Sequence, residues 1–269
     1  MHLSHPAAPF QGIPREDVFF VANDQFVQLG YGYIILSMQM EVYPERPMQI
    51  YINIEAQPSA RNLLLGALLA RAEQIRAQYP HLKGRIYTQL APNQFDLITF
   101  YNQNGFASND AEEEHIFTLP NVPAPTPPMS CQFASVPLQT AEQTQAFLAR
   151  MNMYRMTPIT MDYMTLQMQQ PYFMALGFYR GGQPIAEIMM SGYRPDMAAL
   201  VMVYVRNEHR RHGVGSALVR SASALLRERG VTHCITQVYS RNEPQMKLMK
   251  SLGASRRRIV GILPSMDIG

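Results

Sequence analysis

Two glycines set one residue apart, Gly213 and Gly215, follow Arg210, Arg211 and His212 and carry the strongest chemical signal in the sequence. The apolar run before them predicts a buried strand, and the apolar spacing after them predicts a helix. A glycine turn between a strand and a helix N-terminus presents backbone N–H groups and the positive end of the helix dipole to an anion. The spacing therefore predicts a phosphate-binding loop.

The segment Arg210-x-x-Gly213-x-Gly215 resembles the acyl-CoA-binding motif of the GNAT superfamily of N-acetyltransferases. The resemblance implies that the loop backbone holds the CoA pyrophosphate and that the preceding strand pairs with the pantetheine arm. An ordinary strand-to-helix turn with a solvated basic face is the alternative. Asn242 has two interpretations, a cofactor contact and a helix cap. The cofactor-binding residues that the resemblance implies are Val203, Tyr204, Val205, Arg210, Arg211, His212, Gly213, Val214, Gly215, Ser216 and Asn242.

Three positions depart from the family pattern. Met249 stands where relatives frequently carry a general-acid tyrosine, and Ala199 and Gln237 stand where they often carry a general-base glutamate. A methionine has no proton to donate to a leaving thiolate. The resemblance therefore supplies a binding loop without naming the groups that move protons.

The residue types leave three candidates for proton transfer, Glu187, Tyr204 and Tyr239, with Asp162 as a further one acting through water. Glu187 lies in an apolar stretch, where burial would raise the carboxyl pKa and suit a base. A solvent-facing Glu187 on the opposite face of the strand is the alternative. His209, His212 and His233 lack metal-ligand spacing, so no metal site is predicted.

The chain predicts the same order of elements twice: hairpin, strand, helix, strand, helix, strand. The fold class expected is α+β, with two GNAT-like lobes, each a mixed and mostly antiparallel sheet flanked by helices. The predicted helices cover 58–78, 93–104, 140–151, 160–167, 213–228 and 244–252. The predicted strands cover 17–22, 25–40, 48–55, 85–89, 115–119, 131–136, 173–180, 184–193, 198–205, 233–239 and 255–263.

The five prolines of the segment 119–129 predict an extended linker. The expected domains are a degenerate, truncated GNAT-like domain over 1–119, a linker over 120–129 and an acetyltransferase domain over 130–269. Aligning Arg61 with Arg210 puts Leu64 at the position of Gly213 and Gly66 at that of Gly215. The first domain is therefore expected to serve as scaffold and as one wall of the substrate cleft.

Charge and composition narrow the classes of partner. Residues 1–128 carry 7 Lys and Arg against 12 Asp and Glu, a net charge of −5, and residues 129–269 carry 16 against 8, or +8. A basic half suits a polyanionic ligand such as the phosphates of CoA. Nucleic acid is not expected as a partner, because no recognised nucleic-acid-binding motif accompanies the charge. Two cysteines and the lack of a long apolar run predict a cytoplasmic protein without a membrane span.

These observations predict an acetyl-CoA-dependent N-acetyltransferase that passes an acetyl group to a primary amine of a small molecule or peptide by direct attack. Acetyl-CoA is the expected co-substrate, and a monomer or homodimer is the expected assembly. A non-catalytic CoA-binding or sensing protein is the alternative, because the positions 199, 237 and 249 have lost the family's acid and base groups.

Overall fold

The computed structural model describes residues 1–40, 43–121, 123–128, 131–153, 155 and 159–269. Val122, Met129 and Ser130, at the predicted linker and domain boundary, lie outside this part. In chain order the strands and helices are β1 His2–Ser4, β2 Val18–Ala22, β3 Gln28–Met38, β4 Met48–Ala56, α1 Pro58–Ala77, β5 Gly84–Tyr87, α2 Phe95–Gln103, β6 Ala111–Thr118, β7 Gln132–Ser135, α3 Ala141–Asn152, α4 Met161–Met168, β8 Met174–Arg180, β9 Gln183–Arg194, β10 Met197–Val205, α5 Val214–Glu228, β11 His233–Tyr239, α6 Glu243–Ser251, β12 Ser255–Ile262 and β13 Ser265–Ile268.

The chain forms two compact units, the first from residues 1–110 and 261–269 and the second from residues 111–260. Each unit is built on one sheet. The first sheet has the order β1-β2-β3-β4-β5-β13 and the second the order β12-β6-β11-β10-β9-β8-β7. Both are mostly antiparallel and each contains a parallel pair, β4 with β5 in the first sheet and β10 with β11 in the second. The predicted α+β class with two mixed sheets is therefore confirmed.

The core of the first unit lies between its sheet and α1. Ile50, Ile52 and Ile54 alternate along β4 and are buried, because every second side chain of a strand faces the same side. The aliphatic face of α1, with Leu64, Leu65 and Leu68, packs against them.

The second unit has a core on each side of its sheet. One core contains the apolar face of α5, including Leu218 and Val219, and the other contains Phe147 of α3 and Met164 of α4. Local sequence fixes these elements, since Thr140 and Gln143 form a reciprocal cap at the start of α3. Gly181 and Gly182, with φ of 57° and 76°, form the tight turn between β8 and β9.

Two chain segments join sheets that their position in the sequence does not suggest. β6, from the part of the chain assigned to the first domain, pairs with β11 from His233↔Thr118 to Tyr239↔Glu112. β13, from the C-terminal end, pairs with β5 in the first unit. The proline-rich segment consequently connects β6 and β7, two strands of the same sheet. Prolines mark an extended segment, but they do not determine which sheet its flanking strands join.

Within the described residues of the first unit, no counterpart of the glycine loop lies between a strand and a helix. Gln57 alone separates β4 from α1, so Arg61 lies in the first turn of this helix and Leu64 in the second. Arg210 instead precedes α5, which begins at Val214. The alignment of Arg61 with Arg210 is therefore wrong in structural terms, because the two residues stand on opposite sides of the helix start.

Candidate functional site

The parallel strands β10 and β11 pair at their N-terminal ends only, and the unpaired region beyond that ladder is called the fork. Their ladder joins three residue pairs, from Met197↔His233 to Ala199↔Ile235, while the strands continue to Val205 and Tyr239. A cavity of about 280 Å³ lies at this fork, and residues of both strands beyond the ladder line it. The fork gives a ligand access to main-chain groups that a continuous sheet would pair.

A β-bulge sets which way the side chains of β10 face. The register with β9 shifts between Leu200 and Met202. Leu200 packs in the core beside α5, whereas Met202 and Tyr204 pack in the core beside α3 and α4. Leu200 and Met202 would share a face in a regular strand, but the bulge places them on opposite faces of the sheet. The bulge thereby directs Val203 toward α5.

Gly215 lies where α5 passes close to β10. A Cβ added to Gly215 would be 3.4 Å from Cγ2 of Val205 and 3.9 Å from Cγ1 of Val203. A methyl group fits at these distances, but a larger side chain would push the helix away from the strand. Gly215 therefore keeps the start of α5 against the fork.

The loop before α5 has an unusual backbone. Arg211 and Gly213 have φ of 63° and 76°, in the left-handed region that favours glycine. Gly213 is the N-cap of α5 and no side-chain hydrogen bond caps this helix end, while a Cβ on Gly213 would meet no atom within 4 Å. The side chain of the N-cap residue therefore does not bond the first N–H groups of α5, which lie at the positive end of the helix dipole. Such a helix start favours an anion, and phosphate binding at this loop stays a prediction.

The three basic side chains of the motif have different surroundings. Arg210 turns back, and its Nε donates a hydrogen bond to the backbone oxygen of Val205 at 3.0 Å. This bond ties the loop to the end of β10. Arg211 and His212 are exposed, as is Gly213 beside them. Arg211 adds a positive charge beside the start of α5.

Asn242 caps α6. Its Oδ1 accepts a hydrogen bond from the backbone N–H of Gln245 at 3.2 Å, and the residue is 5% exposed. The helix-cap interpretation describes the observed role, and a cofactor contact stays a prediction. Met249, on the same helix, is buried in the core beside α5. The position of the missing tyrosine is therefore filled by apolar packing.

Glu187 is buried and paired, so the solvent-facing alternative is wrong. Arg150 donates to both of its carboxylate oxygens, from Nε at 2.6 Å and from Nη2 at 2.9 Å. The hydroxyl of Tyr179 donates a further bond at 2.9 Å. Burial and the adjacent carboxylate raise the pKa of Tyr179. The oxygens of this carboxylate are thus bound by a guanidinium and a phenol, and Glu187 is not among the residues that line the fork cavity.

The two tyrosine candidates lie in different places. Tyr204 is 7% exposed and faces the core beside α3 and α4, where burial raises the pKa of its phenol. Tyr239 lines the fork cavity. Asp162 is exposed in the first turn of α4. The structure thus brings Tyr239 of the three candidates to the fork cavity, and its catalytic role stays a prediction.

The fork cavity also holds acidic residues that lie outside the candidate site residues named from the sequence. Glu112 and Glu114 of β6 line it together with Gln237 and Tyr239 of β11. The predicted strand begins only at residue 115, whereas β6 begins at Ala111. Three consecutive glutamates have no alternation of apolar and polar residues, so the sequence gives no signal that the strand extends this far.

The described residues contain no group of three or more His, Cys, Asp or Glu side chains that could hold a metal ion. Over the same residues, no helix has the length and apolar character needed to cross a membrane.

Comparison with known proteins identifies a matching family model and solved structures with a similar fold. Residues 142–254 match the model of the acetyltransferase (GNAT) family. A search of curated proteins gave no significant match. Among solved structures, a GCN5-related N-acetyltransferase from Sphaerobacter thermophilus is similar at 15% identity and a TM-score of 0.51, over 96% of this chain and 82% of the other.

Two further structures share the fold. A conserved protein from Enterococcus faecalis V583, described as a probable N-acyltransferase, is similar at 13% identity and a TM-score of 0.56, over 92% of this chain and 61% of the other. A GCN5-related N-acetyltransferase from Anabaena variabilis gives 13% identity and a TM-score of 0.53, over 94% and 63%. The family model confirms the predicted resemblance to the GNAT superfamily over residues 142–254, and the solved structures confirm the GNAT-like fold.

Proposed function

We propose that this chain, whose residues 142–254 carry a GNAT acetyltransferase domain, transfers an acetyl group from acetyl-CoA to a primary amine. The observation that carries the proposal is the uncapped, left-handed start of α5 at Gly213 beside the fork of β10 and β11. A loop that binds phosphates and an open strand edge that binds an amide-rich arm are the two features an acyl-CoA thioester needs.

In the proposed complex, N–H groups of the loop from Arg211 to Ser216 bind the pyrophosphate. The main chain of β10 over 203–205 pairs with the pantetheine arm and brings the thioester to the fork. A backbone N–H of β10 then stabilises the developing oxyanion. The amine approaches through the fork cavity and attacks the thioester directly while both substrates are bound. In keeping with direct attack, the described residues that line this cavity include neither Ser nor Cys.

A non-catalytic CoA-binding protein is the second candidate. Three observations favour it: Met249 is buried in the core, Glu187 is neutralised by Arg150, and Ala199 and Gln237 bring no carboxylate to the cavity. A protein of this kind would bind acetyl-CoA through the same loop and would not turn it over.

The two candidates are separated by measuring free thiol released from acetyl-CoA with a panel of amines: spermidine, tyramine, glucosamine and a short peptide with a free N-terminus. We expect amine-dependent thiol release that exceeds the rate without amine, with the acetylated amine detected by mass spectrometry. Tight binding of acetyl-CoA with no acetylated product from any amine would contradict the transferase and favour the CoA-binding candidate.

A further inference from the structure

Two hydrogen bonds from guanidinium groups to backbone carbonyls bracket the part of β10 that lies at the fork. At the end of the strand, Nε of Arg210 donates to the oxygen of Val205 at 3.0 Å. Four residues earlier, Nη1 of Arg155 donates to the oxygen of Val201 at 3.2 Å. The main chain over 203–205, which is proposed to pair with the pantetheine arm, begins after the first of these carbonyls and ends at the second.

Val201 is the extra residue of the β-bulge. Over the described residues, the register with β9 passes from Leu200 to Met202 and skips Val201. The ladder with β11 ends earlier, at Ala199. A bulged residue lies outside the regular ladder, so its main-chain groups take partners from elsewhere. Arg155 supplies such a donor to the carbonyl of Val201.

Arg155 reaches this carbonyl from the part of the chain that follows α3. Its backbone N–H donates to the oxygen of Asn152, the last residue of that helix, at 3.3 Å. The side chain of Asn152 also binds both main-chain groups of Ile159, donating to the oxygen at 3.0 Å and accepting from the N–H at 2.7 Å. Ile159 is buried in the core beside α3 and α4. The chain is thus fixed on both sides of Arg155.

The guanidinium of Arg155 contacts the bulge at two residues. Besides the bond to Val201, its Nη1 lies 3.9 Å from Sδ of Met202. Arg155 is half-buried, and both Arg155 and Val201 line the fork cavity. A β10 without the bulge would be shifted by one residue against β9, and such a shift exchanges the two faces of a strand. The bulge therefore decides how the main chain over 203–205 is presented to the fork.

We propose that Arg155 is a positioning residue of the proposed acetyl transfer. It holds the bulge of β10 through the carbonyl of Val201 and thereby aims the main chain over 203–205 at the thioester. Stabilisation of an oxyanion by backbone N–H groups depends on their placement before the reaction. Without Arg155 the protein still binds acetyl-CoA through the loop, but its N–H groups meet the developing oxyanion less often. This assignment rests on the proposed function.

The test measures kcat, KM and the dissociation constant of acetyl-CoA for the wild type, Arg155→Met and Arg155→Lys, with the most active amine of the panel. We expect Arg155→Met to lower kcat by about 10- to 100-fold, the cost of a small misplacement near the reacting atoms. The affinity for acetyl-CoA should stay close to that of the wild type, because the loop and the bond from Arg210 to Val205 are unchanged. Arg155→Lys keeps a cationic donor and should recover part of kcat.

Arg227→Met is the matched control. Arg227 of α5 is also half-buried, and its Nη1 donates to the backbone oxygen of Leu119 at 3.0 Å. The two substitutions therefore remove the same kind of bond from the same unit, one at the fork and one away from the residues that line its cavity. We expect both to lower the urea midpoint of unfolding and Arg155→Met alone to lower kcat.

Three results would overturn the assignment and leave the transferase standing. They are a wild-type kcat in Arg155→Met, equal losses of kcat in Arg155→Met and Arg227→Met, and a loss of acetyl-CoA affinity as large as the loss of kcat. If Arg155→Met does not fold, Arg155→Gln, which is shorter and uncharged, takes its place with the same expectations. A wild type that acetylates no amine would overturn both the assignment and the transferase.

Discussion

At the scale of single residues, burial and partners decide which carboxylates are available for chemistry. Glu187 of β9 is 0% exposed, and Arg150 binds its carboxylate through two hydrogen bonds. The sequence shows an apolar neighbourhood around Glu187, but the partner comes from α3, far away in the chain. The sequence could therefore predict that Glu187 is buried, but it could not predict that Arg150 neutralises its charge.

The ion pair of Glu187 gives a stability prediction. Arg150→Ala leaves a fully buried carboxylate without its cation, and we expect it to lower the free energy of unfolding by about 3 to 5 kcal/mol. Arg206→Ala, which removes an exposed partner of Glu208, is the matched control and should cost at most about 1 kcal/mol. Urea unfolding at neutral pH measures both. Equal losses in the two variants would contradict the structural role assigned to Glu187.

At the scale of elements, the sequence predicts whether a segment forms a strand or a helix better than it predicts which sheet a strand joins. The glycine loop and the helix after it were predictable, because a strand, two glycines and an amphipathic run leave few alternatives. The bulge in β10 could not be predicted, since no residue between Leu200 and Met202 marks it. The pairing of β6 with β11 could not be predicted either, because strand pairing depends on sheets that are assembled from distant parts of the chain.

The contact between β6 and β12 predicts a pH effect. Burial acts to raise the pKa of Glu113, but hydrogen bonds from His115 and Arg256 outweigh it and hold the pKa below its ordinary value. A depressed carboxyl pKa stabilises the fold above the unfolded pKa, and this contribution is lost as pH falls through the folded pKa. Glu113→Gln should therefore be less stable at pH 7 and should lose less stability than the wild type between about pH 5 and 3.

Urea unfolding at several pH values checks this expectation, with the exposed Glu228→Gln of α5 as the control. The control should follow the wild-type dependence on pH. A Glu113→Gln variant whose stability falls with acid as steeply as that of the wild type would show that Glu113 contributes nothing to the acid response.

At the scale of the whole molecule, the sheets do not follow the order of the chain. The second sheet contains β6, from before the proline-rich segment, and the first contains β13, from the C-terminal end. Phe117 of β6 and Leu119 after it are 2% and 1% exposed in the core beside α5. A division of the chain at the proline-rich segment would therefore remove a strand from the middle of the second sheet.

This arrangement predicts how fragments behave. The fragment 111–260 retains six strands of the second sheet whole and β12 as far as Val260, and it should unfold cooperatively. The fragment 130–269 lacks β6, which leaves β11 and β12 without their neighbour and exposes apolar core, so it should aggregate or lack a cooperative transition. Circular dichroism during urea unfolding distinguishes them. A cooperative, monomeric 130–269 fragment would contradict the proposed need for β6.

The most direct test of the central claim is calorimetric binding of acetyl-CoA to the wild type, Gly213→Leu and Gly230→Leu. Both glycines have left-handed φ, 76° and 85°, and open space around an added Cβ, so the two substitutions impose the same kind of backbone strain at opposite ends of α5. We predict that Gly213→Leu abolishes binding while Gly230→Leu retains it. Equal affinity of all three proteins, or no binding by the wild type, would contradict an acyl-CoA site at this loop.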